Sequence, residues 1–179
     1  MVNILVEEIM SNHLKDGYSN HLFKFISRFY EELDLKNSIL DIGCGHYRNL
    51  KLFYEFGFKK LYGIDKNTYE DYLEVPVNFK QWDIENGVLY SDKNFDIVLC
   101  NFVLMFIEPE KQKFVVNELM RVTKKFLIIE TNPLNKSTKN TFYKEYSFKD
   151  IVRWIEESKE FEFVQVRKYK EKLIVKRKG

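Results

Sequence analysis

The stretch from Ser38 to Asp65 constrains the fold more than any other part of the chain. It reads SILDIGCGHYRNLKLFYEFGFKKLYGID. An apolar run ends in Asp41 and leads into the glycine pair Gly43 and Gly45, an amphipathic segment follows, and a second apolar run ends in Asp65. This order predicts a strand, a tight turn, a helix and a second strand, with a carboxylate at the end of each strand.

Apolar periodicity extends this pattern along the rest of the chain. It predicts helices over 19–35, 47–56, 108–122 and 147–157, and a shorter one over 65–73. Strands are predicted over 38–42, 60–64, 77–82, 95–100 and 125–130, with a closing antiparallel pair over 161–166 and 172–176. Residues 1–18 suggest a short helix followed by a loop, and 131–146 form one long irregular segment.

The alternation of strands and helices predicts an α/β fold. We expect a doubly wound, mostly parallel seven-stranded sheet with helices on both faces and a C-terminal antiparallel hairpin, because right-handed crossovers return each strand to the same sheet. The 179 residues suit a single compact domain. Within it we expect residues 1–36 to form an N-terminal helical cap or lid and residues 37–179 to form a Rossmann-like core.

The composition argues against several functional classes. A hydrophobic content of 45% is typical of a folded chain, and a net charge of +2, from 29 basic and 27 acidic residues, gives no strong field that would attract nucleic acid or an anionic membrane. Cys44 and Cys100 show neither zinc-ligand nor disulfide-scaffold spacing, so we expect two buried thiols in a reducing cytoplasm and no metal site. No segment reaches the roughly 20 apolar residues needed to cross a bilayer. These features predict a cytoplasmic protein without membrane contacts.

Four polar positions coincide with the predicted strand ends. They are Asp41, Asp65, Asp83 and Asn101, and the carboxyl ends of parallel strands share one edge of a sheet. The glycines within 43–45 allow a ligand to approach the main chain without meeting a Cβ atom. Asp65 is placed to accept hydrogen bonds from both hydroxyls of a ribose, and Asp83 from an exocyclic amine. The residues therefore predict a site for a nucleoside-containing cofactor.

A dinucleotide is the main rival ligand for this turn. Dinucleotide turns require a small residue at the third motif position, three residues after Gly45, where this chain has Arg48. The negative charge of Asp41 inside the turn would also repel a pyrophosphate. Both residues disfavour NAD and FAD.

Several motifs in residues 38–131 resemble those of the class I, seven-stranded S-adenosylmethionine-dependent methyltransferases. LDIGCG is similar to the first motif of that family, GID to the second and WDI to the third. FDIVLCNFVLMFI is similar to the fourth-strand region, and ELMRVTKKFLIIET to the stretch leading into the fifth strand. The closing hairpin extends the resemblance to the C-terminus by architecture.

The resemblance implies that the cofactor is S-adenosyl-L-methionine and the product S-adenosyl-L-homocysteine. It implies contacts of the 41–45 stretch with the methionine moiety, of Asp65 with the ribose, of Asp83 and the Ile84 amide with adenine, and of Asn101 with the methyl end. The full set of implied cofactor-binding residues is Asp41, Gly43, Cys44, Gly45, Asp65, Lys66, Asp83, Ile84, Asn101 and Phe102. Tyr47 departs from the family pattern, since many members have a small residue there.

The sequence indicates catalytic residues less clearly than cofactor-binding residues. Methyl transfer depends mainly on positioning, and a general base is needed only if the acceptor must lose a proton. His46, Tyr18 and His13 are the candidates for that base. His46 suits either a solvated first-turn residue or the mouth of the active site, and Tyr18 suits a lid. His13 and His21 also suit a loop and a helix surface.

The sequence leaves the methyl acceptor open. A near-neutral charge and the absence of a visible recognition domain favour a small molecule. An RNA or protein acceptor stays open, as does the oligomeric state. The alternative from another class is a non-catalytic, S-adenosylmethionine-binding regulatory subunit.

Overall fold

The computed structural model describes residue 17, residues 19–131 and residues 144–179. His13, Tyr18, the N-terminal helix predicted within 1–18 and most of the irregular segment lie outside the described residues. The predicted division at residue 36 into a cap and a core stays a prediction.

The described chain alternates helices and strands as expected. In order, the elements are α1 (Asn20–Phe29), β1 (Ser38–Ile42), α2 (Arg48–Glu55), β2 (Lys60–Asp65), β3 (Val77–Gln81), β4 (Phe95–Asn101), α3 (Pro109–Val122), β5 (Thr123–Glu130), α4 (Phe148–Ser158), β6 (Phe161–Arg167) and β7 (Lys172–Arg177). Short 3-10 turns cover Tyr30–Glu32, Ile84–Asn86, Leu104–Phe106 and Lys168–Lys170. Among the described residues no helix is both long and apolar enough to span a bilayer.

The strands form one seven-stranded sheet in the order β3-β2-β1-β4-β5-β7-β6. Strands β1 to β5 are parallel, while β7 runs antiparallel between β5 and β6. The doubly wound, mostly parallel sheet with a terminal hairpin is therefore confirmed. Because β1 lies between β2 and β4, its nearly continuous apolar sequence is buried on both faces.

Two hydrophobic clusters lie on opposite faces of this sheet. One contains side chains of α3 and α4, such as Leu119 and Ile151, and the other contains side chains of α1 and α2, such as Phe25 and Phe53. Each helix contributes its apolar side, which is the physical reason for the three-to-four-residue spacing. This packing leaves the carboxyl ends of the parallel strands open at one edge of the sheet.

The helix predicted over 65–73 is wrong. Local side-chain bonds hold this segment in an irregular path, because the Asp65 carboxylate accepts a hydrogen bond from the Asn67 amide at 2.9 Å and Gln81 Nε2 donates to the Lys66 carbonyl at 3.1 Å. The Leu73 amide also donates to the His46 carbonyl. Such bonds compete with the bonds of a helix.

The helix predicted over 19–35 is shorter than expected. Ser19 caps α1 by accepting from the His21 amide, but the helix ends at Phe29 and a 3-10 turn follows. Two acidic residues in that turn are unfavourable at the negative end of a helix dipole. The prediction that His21 lies on the helix surface is wrong, since it is only 4% exposed.

Candidate functional site

Two cavities meet at the glycine turn after β1. The first has a volume of about 280 Å³ and is lined by Gly43, Gly45, Ile64, Asp65, Lys66, Asn67, Tyr69, Trp82, Asp83, Ile84, Glu85, Phe102, Val103, Phe106 and Ile107. The second has a volume of about 440 Å³ and is lined by Gly17, Ser19, Asn20, Gly43, Cys44, Gly45, His46, Arg48, Asn49, Asn101, Phe102, Glu130 and Lys172. The turn and Phe102 belong to both.

The turn requires glycine for two different reasons. Gly43 has a φ of +70°, and a Cβ there would lie 2.4 Å from Val103 Cγ2. Its amide donates to the Ile64 carbonyl at 2.7 Å, which ties the turn to β2. Gly45 has a φ of +48°, and a Cβ there would meet nothing within 4 Å. Gly43 is therefore needed for packing, whereas Gly45 keeps open the space that both cavities share.

Asp65 connects the end of β2 to the turn. Its carboxylate accepts hydrogen bonds from the Gly45 amide at 3.0 Å and the Asn67 amide at 2.9 Å. An ionised carboxylate has about four acceptor positions, so Asp65 retains the capacity for two further donors. It lines the first cavity, where a pair of ligand hydroxyls could bind.

Asp83 lies two residues beyond the end of β3. Its carboxylate accepts from the Glu85 amide at 3.0 Å and caps the 3-10 turn Ile84–Asn86. Beside it, Trp82 Nε1 donates to the Gly87 carbonyl at 2.8 Å, which fixes the indole against the cavity. The first cavity is therefore a largely apolar slot with a carboxylate at the end of each of two strands.

Asp41 lines neither cavity. It is completely buried, and Asn49 Nδ2 donates to Oδ2 at 3.3 Å, while Oδ1 has no partner among the described residues. The pKa of Asp41 is raised to about 7, mainly by burial; the hydrogen bond from Asn49 opposes the rise and the nearby charge of Asp65 adds to it. The contact with methionine implied for Asp41 stays a prediction.

Three polar side chains form a row along the sheet edge in the second cavity. Asn101, Glu130 and Lys172 are register partners on β4, β5 and β7. Asn101 is 6% exposed, and neither its Oδ1 nor its Nδ2 has a partner within the described chain. Glu130 is 3% exposed, accepts from Ser19 Oγ at 2.7 Å and forms an ion pair with Lys172. The amide of Asn101 is therefore available to a ligand.

His46 lines the second cavity, and its side chain is 36% exposed. Its Nδ1 is 2.9 Å from Asp71 Oδ1, and its ring contacts the Tyr69 ring at a centroid distance of 4.3 Å. With Nδ1 donating to this carboxylate, Nε2 is the nitrogen that can accept a proton. His46 is thus the one proposed base among the described residues.

Tyr47 and the two cysteines belong mainly to the core. Tyr47 adopts a φ of 68°, stacks on Tyr72 at a centroid distance of 4.4 Å and lines neither cavity. Cys44 and Cys100 are buried free thiols, and burial raises the pKa of both. Cys44 also borders the second cavity. Within the described ranges, no group of three His, Cys, Asp or Glu residues could hold a metal ion.

The structure divides the predicted site residues between the two cavities. Asp65, Lys66, Asp83 and Ile84 line the first, while Cys44, His46 and Asn101 line the second. The sequence reasoning missed Ser19, Arg48, Glu130 and Lys172 as lining residues. Glu130 could have been found, because it ends β5 just as Asn101 ends β4. Lys172 had no such signal, since it begins an antiparallel strand.

Comparisons with known proteins indicate the family and the fold of this chain. A family model described as "Methyltransferase domain" matches residues 40–128. Carboxy-S-adenosyl-L-methionine synthase 1 of Yersinia pseudotuberculosis is 32% identical over 116 residues, which cover 56% of this chain and 47% of that protein. The chain thus spans about half the length of the curated relatives it matches.

Solved structures share the fold at low sequence identity. An S-adenosylmethionine-dependent methyltransferase from Clostridium acetobutylicum is 15% identical with a TM-score of 0.68, covering 95% of this chain and 97% of that one. A 1,6-didemethyltoxoflavin-N1-methyltransferase from Burkholderia thailandensis, with bound 1,6-didemethyltoxoflavin and S-adenosylhomocysteine, is 14% identical with a TM-score of 0.66, covering 99% and 89%. These likenesses establish the α/β architecture.

Proposed function

Because this chain belongs to the class I S-adenosylmethionine-dependent methyltransferase family, we propose that it transfers a methyl group to a small-molecule acceptor. Its cofactor is S-adenosyl-L-methionine, and the product is S-adenosyl-L-homocysteine. The observation that carries the proposal is the pair of cavities that share the Gly43–Gly45 turn. A two-part ligand fits this arrangement, with its nucleoside on one side of the turn and its amino acid on the other.

The first cavity suits the adenosine part of the cofactor. Asp65 has free acceptor capacity for the two ribose hydroxyls, and Asp83 can accept from the exocyclic amine of adenine. Trp82 and Ile84 provide apolar walls for the base, and Lys66 lies beside Asp65. These contacts are part of the proposal.

The second cavity suits the methionine part and the acceptor. The unpartnered amide of Asn101 and the open space at Gly45 support this assignment. When bound, S-adenosylmethionine supplies an electrophilic methyl group on a positively charged sulfur. The role of the chain is to hold the acceptor in line with that group and to exclude water. Ser19 and Asn20 from α1 line this cavity, which supports residues 1–36 as a cap over it.

His46 is the proposed general base for an acceptor that must lose a proton. Asp71 orients its ring, and Nε2 accepts the proton of the attacking group. Tyr18 and His13 remain proposals from the sequence.

Two observations support a small-molecule acceptor. The second cavity, at about 440 Å³, has room for a compact ligand rather than an extended chain. The matched relatives are named for the synthesis of carboxy-S-adenosyl-L-methionine and for methylation of 1,6-didemethyltoxoflavin, both small molecules.

Calorimetry combined with methyl-transfer assays tests this function. We expect S-adenosylmethionine and S-adenosylhomocysteine to bind with one-to-one stoichiometry. Labelled methyl from the cofactor should then appear in the low-molecular-mass fraction of a cell extract. Label in the RNA or protein fraction would contradict the small-molecule acceptor. Binding without transfer to any fraction would favour a regulatory subunit, and no binding would reject the proposal.

A further inference from the structure

The row formed by Asn101, Glu130 and Lys172 gives the second cavity a specific chemistry. Each residue pairs in register with its neighbour, so an amide, a carboxylate and an ammonium lie side by side on three adjacent strands. All three line the second cavity. The row is formed by strand pairing rather than by a local turn, because its three residues lie on strands that are distant in sequence.

Glu130 holds the ammonium of Lys172 in place. Burying a charged carboxylate is unfavourable unless it is paired and hydrogen-bonded, and Glu130 meets both conditions through Lys172 and Ser19. An ammonium has three donors, and among the described residues that of Lys172 bonds Glu130 alone. The Lys172 side chain is 22% exposed, so donors remain free to face the cavity.

Other side chains of this cavity also offer hydrogen-bond donors. Nδ2 of Asn101 has no acceptor within the described chain. Arg48 has no carboxylate within ion-pair distance among the described residues, and its Nη1 would lie 3.4 Å from a Cβ placed on Gly17. Among the described lining residues, Arg48 and Lys172 are cationic and Glu130 alone is a carboxylate, so their charges sum to a positive value. This arrangement favours an anionic ligand that is rich in acceptors.

Building on the proposed function, we infer that the methyl acceptor is a small molecule with a carboxylate group that Lys172 binds. Glu130 and Ser19 are positioning residues that fix the ammonium, and Asn101 provides a neighbouring donor. Phe102, which is 41% exposed and borders both cavities, offers an apolar face to the remainder of the acceptor. The positive charge of the cofactor sulfur adds to the attraction for an anion.

A pair of aromatic probes that differ only in charge tests this inference. 4-Hydroxybenzoate and its neutral analogue 4-hydroxybenzamide are titrated by saturation-transfer NMR, with and without saturating S-adenosylhomocysteine. We expect the carboxylate to bind at least tenfold more tightly than the amide. Equal binding of the two probes would overturn the inference.

Substitutions test whether Lys172 is the group that binds the carboxylate of the probe. Lys172→Met should weaken 4-hydroxybenzoate binding about tenfold and leave S-adenosylhomocysteine binding within twofold, while Lys172→Arg should retain the preference for the carboxylate. Lys176→Met is the matched control on the same face of β7, where Lys176 pairs with the exposed Glu32. It should bind both ligands like the unchanged protein.

The remaining outcomes distinguish a failure of the carboxylate site from a failure of the proposed function. An equal loss of S-adenosylhomocysteine affinity in Lys172→Met would assign the ammonium to the carboxylate of the cofactor and overturn the inference. Lower stability with unchanged probe binding would assign the ion pair to the β5–β7 contact and would also overturn it. If the carboxylate preference persists but S-adenosylhomocysteine does not bind, the proposed function fails while the anion site stands.

Discussion

The two cavities beside the glycine turn satisfy their polar groups in opposite ways. In the first, Asp65 and Asp83 each accept from the amide two residues ahead, and Asp65 also accepts from the Gly45 amide in the neighbouring turn. In the second, Glu130 accepts from Ser19, which is 111 positions away, and Asn101 has no partner among the described residues. The carboxylates of the first cavity are therefore held mainly by turns that follow their own strands, whereas Glu130 in the second is held by residues distant in sequence.

This difference indicates where each half of the site is fragile. Local turns form with the strands that carry them, so the first cavity is preorganised before any ligand arrives. The second contains the buried amide of Asn101, which has no partner among the described residues, and an unpaired buried polar group lowers the stability of the free protein. We expect substitutions in the two regions to affect binding and stability differently.

The largest effect is expected from the turn that both cavities share. Gly43→Ala should lower the free energy of unfolding by roughly 3–5 kcal/mol, because the new methyl group strains a left-handed backbone and overlaps Val103. Gly45→Ala is the matched variant, since its Cβ meets nothing, and it should cost only about 1 kcal/mol while weakening cofactor binding. Chemical denaturation and calorimetry measure both. Equal destabilisation by the two variants would contradict the packing argument.

The next effect concerns the buried carboxyl of Asp41. Between its ordinary pKa of 3.8 and the raised pKa of about 7, the folded protein holds a proton that the unfolded chain has released. The contribution of this group to stability therefore decreases as pH rises through that window. Asp41→Asn should remove the decrease and gain at most about 4 kcal/mol over the unchanged protein above pH 7.

Denaturation at a series of pH values measures this difference. Glu74→Gln, which removes an exposed carboxylate outside both cavities, is the control and should leave the profile unchanged. Parallel profiles for Asp41→Asn and the unchanged protein would show that Asp41 does not titrate in this window.

The first cavity is tested by removing the charge of Asp65. Asp65→Asn should weaken the binding of S-adenosylhomocysteine and of adenosine by a similar factor of about 100, because charge-assisted hydrogen bonds contribute roughly 1.5–3 kcal/mol. Calorimetry with both ligands measures the effect. Glu70→Gln, on the exposed loop that follows, should bind like the unchanged protein. Unaltered adenosine affinity in Asp65→Asn would place the ribose elsewhere.

Replacing His46 should lower methyl transfer without weakening cofactor binding. We expect His46→Gln to lower methyl transfer to the extract fraction by roughly 10- to 100-fold, because proton removal loses its base, while S-adenosylhomocysteine binding stays within twofold. Asp71→Asn keeps the imidazole, and its side chain is 84% exposed, so its effect should be smaller. Undiminished transfer in His46→Gln would exclude it as the base.

The smallest effect is expected from the unpartnered amide of the second cavity. Asn101→Ala should weaken S-adenosylhomocysteine binding roughly fivefold, which corresponds to about 1 kcal/mol for one hydrogen bond. It should leave adenosine binding unchanged. Comparing the two ligands by calorimetry isolates the methionine side. A matching loss for adenosine would remove the distinction between the cavities.

Local sequence chemistry predicted most of the fold. The bounds of β1 agree residue for residue, and β2 and β4 are each one residue longer than expected. The helix predicted over 65–73 failed because side chains override backbone propensity there, and the Asp65 carboxylate accepts from the Asn67 amide instead of allowing a helix. The carboxylates of the first cavity were predictable because each stands at or just after the end of a strand that the sequence pattern indicates.

The sequence by itself determined the sheet, the glycine turn and the acids at the strand ends, because strand and turn signals operate over a few neighbouring residues. Tertiary structure alone decided the burial of His21, the complete enclosure of Asp41 and the meeting of Ser19, Glu130 and Lys172. Those features depend on which distant strands become neighbours and on how much water their packing excludes. Neither quantity is encoded in a local pattern.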